Sequence, residues 1–85
     1  MKYTYKTKGT CSVKIIIDMD DDKIVRHVEY LGGCNGNLKG ISKLVEGLPA
    51  EEVIAKLKGI RCGMKPTSCP DQLAGALEIM LKEGK

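Results

Sequence analysis

The 85-residue sequence contains no tryptophan and no phenylalanine, and it has only three tyrosines. Its core must therefore be built from aliphatic side chains and methionine. A domain of this length buries only somewhat over roughly 60% of the surface that its unfolded chain exposes. So small an aliphatic core often gains from a metal ion or a disulfide. The length predicts a single domain over residues 1–85.

Several classes of function lack the residues they need. The chain has one histidine, His27, and no serine–histidine–acid set, phosphate loop or clear carboxylate pair. Its net charge of +3 is too small to indicate nucleic-acid binding. The N-terminus is not an apolar leader, and no run approaches the ~18 apolar residues of a membrane span. We therefore expect a cytoplasmic protein with no membrane association and no evident catalysis of its own.

The residue pattern predicts an α+β fold, in which an N-terminal meander of three antiparallel strands is covered on one face by three helices. β-branched residues and period-two alternation predict the strands at 2–7, 12–17 and 24–30. The acidic stretch 20–22 supplies a polar turn. Apolar spacing of three and four residues predicts the helices at 37–47, from Pro49 to Gly59, and from Pro70 onwards.

Two details of this prediction concern which side chains are buried. In the third strand, period two places Ile24, Val28 and Tyr30 on one face. In the first helix, the apolar stripe comprises Leu38, Ile41, Leu44, Val45 and Leu48.

The chemistry of the chain is concentrated in its cysteines, Cys11, Cys34, Cys62 and Cys69. All four fall at the ends of predicted elements, and none lies on an apolar stripe, where a cysteine that merely fills the core belongs. Cys34 and Cys69 precede helix N-termini, whose partial positive charge stabilises thiolate. In a reducing compartment such cysteines indicate metal ligands, redox thiols or structural residues. Four thiolates suit tetrahedral zinc or an iron–sulfur cluster.

Three further residues are candidates for a supporting role. The glycines beside Cys34, Gly33 among them, allow backbone N–H groups to approach a sulfur atom. Asn35 is one of two candidate N-caps for the first long helix. Asp71 lies two residues after Cys69, where it suits the first turn of a helix or could assist at the cysteines.

Residues 67–71, Thr-Ser-Cys-Pro-Asp, match the signature that gives the TSCPD domain family its name. Together with residues 33–37 and the two remaining cysteines, they make the chain resemble the small, stand-alone, four-cysteine branch of that family. The family is known mainly as the C-terminal domain of adenosylcobalamin-dependent (class II) ribonucleotide reductases, and its small members are often labelled ribonucleoside-diphosphate reductases by kinship. The chain has no room for a catalytic barrel. The resemblance thus implies an accessory role in nucleotide reduction and DNA biosynthesis at most.

The order of elements is also similar to that of iron–sulfur cluster assembly scaffolds, whose three cluster-binding cysteines match Cys11, Cys34 and Cys69. Val13 stands where the scaffolds have an aspartate, and Ser68 stands in place of another ligand. These departures favour a closed site in which Cys62 is the fourth ligand.

The leading hypothesis is a metal-binding module in which the four cysteines hold zinc or an iron–sulfur cluster. One alternative is an interaction domain that binds a ribonucleotide reductase or its nucleotides. Another is a thiol redox partner that uses Cys62 and Cys69.

Overall fold

The computed structural model describes residues 2–7, 12–32, 35–61 and 67–83. It contains a three-stranded antiparallel sheet in the order β1-β2-β3, followed by three helices, so the predicted α+β architecture is confirmed. The strands are β1 (Lys2–Lys6), β2 (Ser12–Met19) and β3 (Val25–Gly32), and the helices are α1 (Asn35–Val45), α2 (Ala50–Leu57) and α3 (Cys69–Glu83). No helix in these ranges is long and apolar enough to cross a membrane.

The core lies between one face of the sheet and the helices. Strand β2 alternates as a half-buried strand should, with Ile15, Ile17 and Met19 fully buried and Lys14 exposed. The helices contribute the other half of the core through Val45, Ala50, Val53, Leu73, Ala76, Leu77 and Met80. Tyr3 and Tyr5 of β1 pack against its margin. The opposite face of the sheet is mostly polar, with half-buried Ile16 paired between Thr4 and Glu29 on it.

A β-bulge corrects the predicted face of the third strand. Asp18 pairs with His27 but Met19 pairs with Val25, so Arg26 is an extra residue in β3. The bulge breaks the period-two alternation, and Val25 rather than Ile24 joins Val28 in the core. Ile24 instead forms an isolated bridge with Pro49.

Helix α1 also differs from its prediction in one buried residue. It spans Asn35–Val45 rather than 37–47, and Gly47 then adopts a left-handed φ of 86° that suits a helix C-terminus. Leu38 and Val45 are buried, but Leu44 is 77% exposed. The side of α1 that faces the core therefore contains fewer residues than the apolar spacing predicts, because Leu44, directly before Val45, is exposed.

Candidate functional site

The structure describes one of the four cysteines, Cys69, which is the first residue of α3 and is 7% exposed. Cys11, Cys34 and Cys62, together with Gly33, lie outside the described residues. The structure does describe residues that are close to each of these cysteines in the sequence.

The residues that flank the cysteines converge on one end of the sheet. Ser12, which follows Cys11, opens β2 opposite Gly32, the last residue of β3. Helix α1 begins at Asn35, directly after Cys34 in the sequence. The Tyr30 hydroxyl, two residues before that end of β3, donates a hydrogen bond of 3.0 Å to the carbonyl oxygen of Cys69. The sheet therefore places Ser12, which follows Cys11, and Gly32, two residues before Cys34, at the end from which Tyr30 contacts the start of α3.

The start of α3 is capped by Ser68. The Ser68 Oγ accepts a hydrogen bond of 3.2 Å from the Asp71 N–H, which is the expected N-cap contact. The same hydroxyl donates a 2.6 Å bond to the Ile60 carbonyl oxygen, and the side chain is buried. Ser68 thus fixes both the first turn of α3 and the chain that follows α2. Ile60 is two residues before Cys62 in the sequence, so this hydrogen bond also fixes the chain shortly before a second cysteine.

Asp71 completes a clamp between α2 and α3. Its Oδ1 accepts a 2.7 Å bond from the Gly59 N–H, and its Oδ2 accepts a 2.5 Å bond from the Thr67 hydroxyl. Thr67 Oγ1 in turn accepts from Gln72 Nε2 at 3.0 Å. We call Thr67, Ser68 and Asp71 the clamp residues. Both carboxylate oxygens of Asp71 serve this contact, so its described partners are structural.

The electrostatics of the clamp favour an ionised Asp71. The Thr67 hydroxyl and then the Gly59 N–H lower the pKa of the Asp71 carboxyl, because both hydrogen bonds favour its charged form. The positive side chains of Lys58 and Arg61 act in the same direction. The first turn of a helix also favours negative charge. The signature thus holds a carboxylate at the position where it stabilises the start of α3.

Cys69 is buried, and its carbonyl oxygen accepts the hydrogen bond of the Tyr30 hydroxyl. Burial, and secondarily the negative charge of a Cys69 thiolate, raise the pKa of the Tyr30 phenol, so the phenol remains a hydrogen-bond donor. Cys69 is also the first residue of a helix of 15 residues, where the partial positive charge favours thiolate. The helix start thus favours a Cys69 thiolate, whereas burial of the side chain opposes it.

His27 belongs to a different part of the molecule. Its Nε2 lies 3.7 Å from a Glu29 carboxylate oxygen, and its Nδ1 lies 3.5 Å from one of Glu46. Within the residues that the structure covers, histidine, cysteine, aspartate and glutamate form no group of three that could hold a metal.

Sequence reasoning missed the hydroxyls of Thr67, Ser68 and Tyr30. For Ser68 the sequence did contain a signal, because a serine three residues before an acid is a pattern of helix starts. Neither the contact of Ser68 with Ile60 nor that of Tyr30 with Cys69 has a local signal, because the partners are 8 and 39 residues apart.

Comparison with protein families gives one match. The family model described as the TSCPD domain matches residues 1–81. Searches of curated proteins and of solved structures gave no match. The family match covers nearly the whole chain, including the clamp residues and all four cysteines, and the protein therefore belongs to the TSCPD domain family.

Proposed function

We propose that the protein is a small metal-binding module in which Cys11, Cys34, Cys62 and Cys69 bind a zinc ion or an iron–sulfur cluster. The observation that carries the proposal is the convergence of the flanking chain at one end of the sheet. Ser12 and Gly32 are cross-strand partners there, and Tyr30 of the same strand contacts Cys69.

The donor set fits a thiophilic metal. Four cysteines supply the complete ligand set of a closed zinc site or of a cubane or two-iron cluster. Cys69 lies at a helix N-terminus, which favours the thiolate that such a metal requires. Because Cys69 is only 7% exposed, the protein around it would limit the access of water to a bound metal from this side.

The role of the metal in this proposal is structural or carrier-like, without catalysis by the chain itself. The core is aliphatic and small, so a metal that joins the start of β2, the end of β3 and the start of α3 would add stability that packing alone supplies only marginally. The clamp residues support such a site from outside. They fix the backbone beside Cys69 through contacts that need no metal.

A second candidate function is thiol redox chemistry between Cys62 and Cys69. It is favoured by the Ser68 hydrogen bond to the Ile60 carbonyl oxygen, which ties the residues beside the two cysteines together. In that case the two thiols would lose two electrons and two protons to a disulfide acceptor and form one S–S bond. A role beside a ribonucleotide reductase or its nucleotides rests on the family resemblance and is tested by titration with either.

The test is metal binding to the reduced protein and to its four single Cys→Ser variants. Zinc and ferrous iron with sulfide are offered separately, without oxygen, and affinity is measured by chelator competition. We expect about one zinc ion or one cluster per chain, and loss of that binding in each variant. Asp21→Asn is the control, since Asp21 belongs to the exposed acidic turn and its loss leaves a cysteine site intact.

Two results contradict the proposal. Unchanged affinity in all four Cys→Ser variants would exclude a cysteine site. Weakened binding in Asp21→Asn would place the metal at the acidic turn instead. An intact protein that binds no metal, but forms a Cys62–Cys69 disulfide over a glutathione gradient, supports the redox candidate.

A further inference from the structure

Tyr30 joins the sheet to the first residue of α3. In β3 it lies opposite Ile15 of β2, which is fully buried, and its side chain packs against the hydrophobic core. Its hydroxyl donates a hydrogen bond of 3.0 Å to the carbonyl oxygen of Cys69, 39 residues further along the chain. Because the side chain is packed and its hydroxyl has an acceptor, Tyr30 holds the start of α3 at a fixed place beside the sheet.

The backbone of Cys69 is held from both sides. Before it, the Ser68 hydroxyl bonds to the Asp71 N–H at 3.2 Å and to the Ile60 carbonyl oxygen at 2.6 Å. After it, its own carbonyl group accepts the hydrogen bond from Tyr30. A cysteine side chain has one rotatable bond before the sulfur atom, and that bond has three staggered positions. Fixing the backbone on both sides therefore confines the Cys69 sulfur atom to a few positions.

These contacts hold Cys69 against different parts of the molecule. The clamp residues connect it to the chain that follows α2, and this chain leads to Cys62 in the sequence. Tyr30 connects it to the sheet. In the sequence, Cys11 comes directly before β2, and Cys34 comes two residues after the end of β3. The Tyr30 hydrogen bond therefore links the helical side of the proposed site to its sheet side.

We propose that Tyr30 is a positioning residue of the metal site, whose hydroxyl holds Cys69 where the sulfur atom reaches a metal bound by the cysteines beside the sheet. The inference rests on the proposed function and gives Tyr30 a part in metal binding in addition to its packing. Zinc–sulfur bonds are about 2.3 Å long in a tetrahedral site, so displacement of one ligand weakens binding. Removal of a group that orients a metal ligand commonly weakens the affinity for the metal by about tenfold or more.

The test compares the metal affinity of Tyr30→Phe with that of the parent. Reduced protein is used without oxygen and without denaturant, and zinc is measured by chelator competition and cobalt(II) by its absorption. We expect Tyr30→Phe to bind zinc about tenfold more weakly. At saturating cobalt(II) its spectrum should equal that of the parent, because Tyr30 holds a ligand and is not itself one. Cys69→Ser should instead lose part of the thiolate-to-cobalt absorption.

Two controls separate positioning from a general loss of stability. Tyr5→Phe removes the same atom from another tyrosine that packs against the core. Val53→Ala destabilises the fold from the core side of α2, where Val53 is 1% exposed, and leaves the Tyr30 hydrogen bond in place. Both folded variants should keep the zinc affinity of the parent.

The outcomes distinguish this inference from the proposal on which it rests. A parent protein that binds neither zinc nor cobalt(II) overturns both. A parent that binds zinc through Cys69, together with a Tyr30→Phe variant of unchanged affinity, overturns the positioning role alone. An equal loss of affinity in Val53→Ala also overturns that role, because Tyr30 would then act only through stability.

Discussion

Replacement of Ser68 by alanine tests whether the family signature stabilises the fold through the clamp. The hydroxyl makes two contacts that alanine cannot make. It accepts from the Asp71 N–H at the start of α3 and donates to the Ile60 carbonyl oxygen at 2.6 Å. The change removes only one oxygen atom from a buried side chain, so it creates little empty space. Any loss of stability therefore reports on the hydrogen bonds.

The magnitude follows from the two contacts. Loss of a serine N-cap costs about 1 kcal/mol. Loss of a second, partly buried hydrogen bond costs about 1 kcal/mol more. Ile60 is 42% exposed, so its carbonyl group can regain a bond to water and the second cost is not larger. We expect the free energy of unfolding of Ser68→Ala to fall by about 2 kcal/mol.

The assay is urea unfolding followed by far-ultraviolet circular dichroism, in reducing buffer with a chelator so that no metal contributes. Ser42→Ala is the matched control. Ser42 is also buried, but its hydroxyl only donates to the Leu38 carbonyl oxygen one turn back in α1. Alanine favours the helix as well as serine does or better, so this variant should lie within about 0.5 kcal/mol of the parent. Equal effects of the two changes would refute the clamp.

Three further variants test the electrostatics, the core and the sheet–helix contact. Asp71→Asn should lower the free energy of unfolding at neutral pH and make the decrease of that free energy in acid less steep. The pKa of Asp71 in the folded protein is lowered from 3.8. The ionised group therefore stabilises the fold above that value, and its contribution disappears as the pH falls through the folded pKa. Leu77→Ala should cost about 3 kcal/mol because Leu77 is fully buried, whereas Leu44→Ala should change stability by less than about 0.5 kcal/mol. Tyr30→Phe should cost about 1 kcal/mol through loss of its bond to Cys69.

These variants are measured by urea unfolding, the first over a pH series. Glu51→Gln, an exposed acid in the first turn of α2, is the comparison for Asp71 and should keep the parent's acid slope. Tyr5→Phe is the comparison for Tyr30 and should be nearly neutral. Equal losses of stability in both tyrosine variants would contradict the role of the Tyr30 hydrogen bond. An unchanged acid slope in Asp71→Asn would contradict the role of the Asp71 charge. Equal costs at Leu44 and Leu77 would contradict the assignment of the core.

Local patterns were sufficient to predict the order of the elements and most of the core. β-branched residues identified β2, and apolar residues spaced three and four apart identified α3, whose buried side includes Leu73, Leu77 and Met80. Glycines with positive φ at positions 47 and 59 follow the first two helices, as their sequence positions indicate. These features depend on neighbours within a few residues, and sequence shows such neighbours directly.

Features that depend on distant partners were not predictable in the same way. The bulge at Arg26 is defined by the pairing between β2 and β3, and it exchanges Ile24 for Val25 in the core. The exposure of Leu44 depends on how α1 is rotated against the sheet. The ligand role of the four cysteines stays a prediction: three lie outside the described residues, and only the chain beside them can be located.

The central claim is most directly tested by metal analysis and an absorption spectrum of protein purified without oxygen and without chelator. The four-cysteine proposal predicts either about one zinc ion per chain and no colour, or iron with sulfide and a visible charge-transfer band. Each form should be lost in Cys69→Ser. Protein that carries no metal, takes up none when reconstituted and retains four free thiols would contradict it.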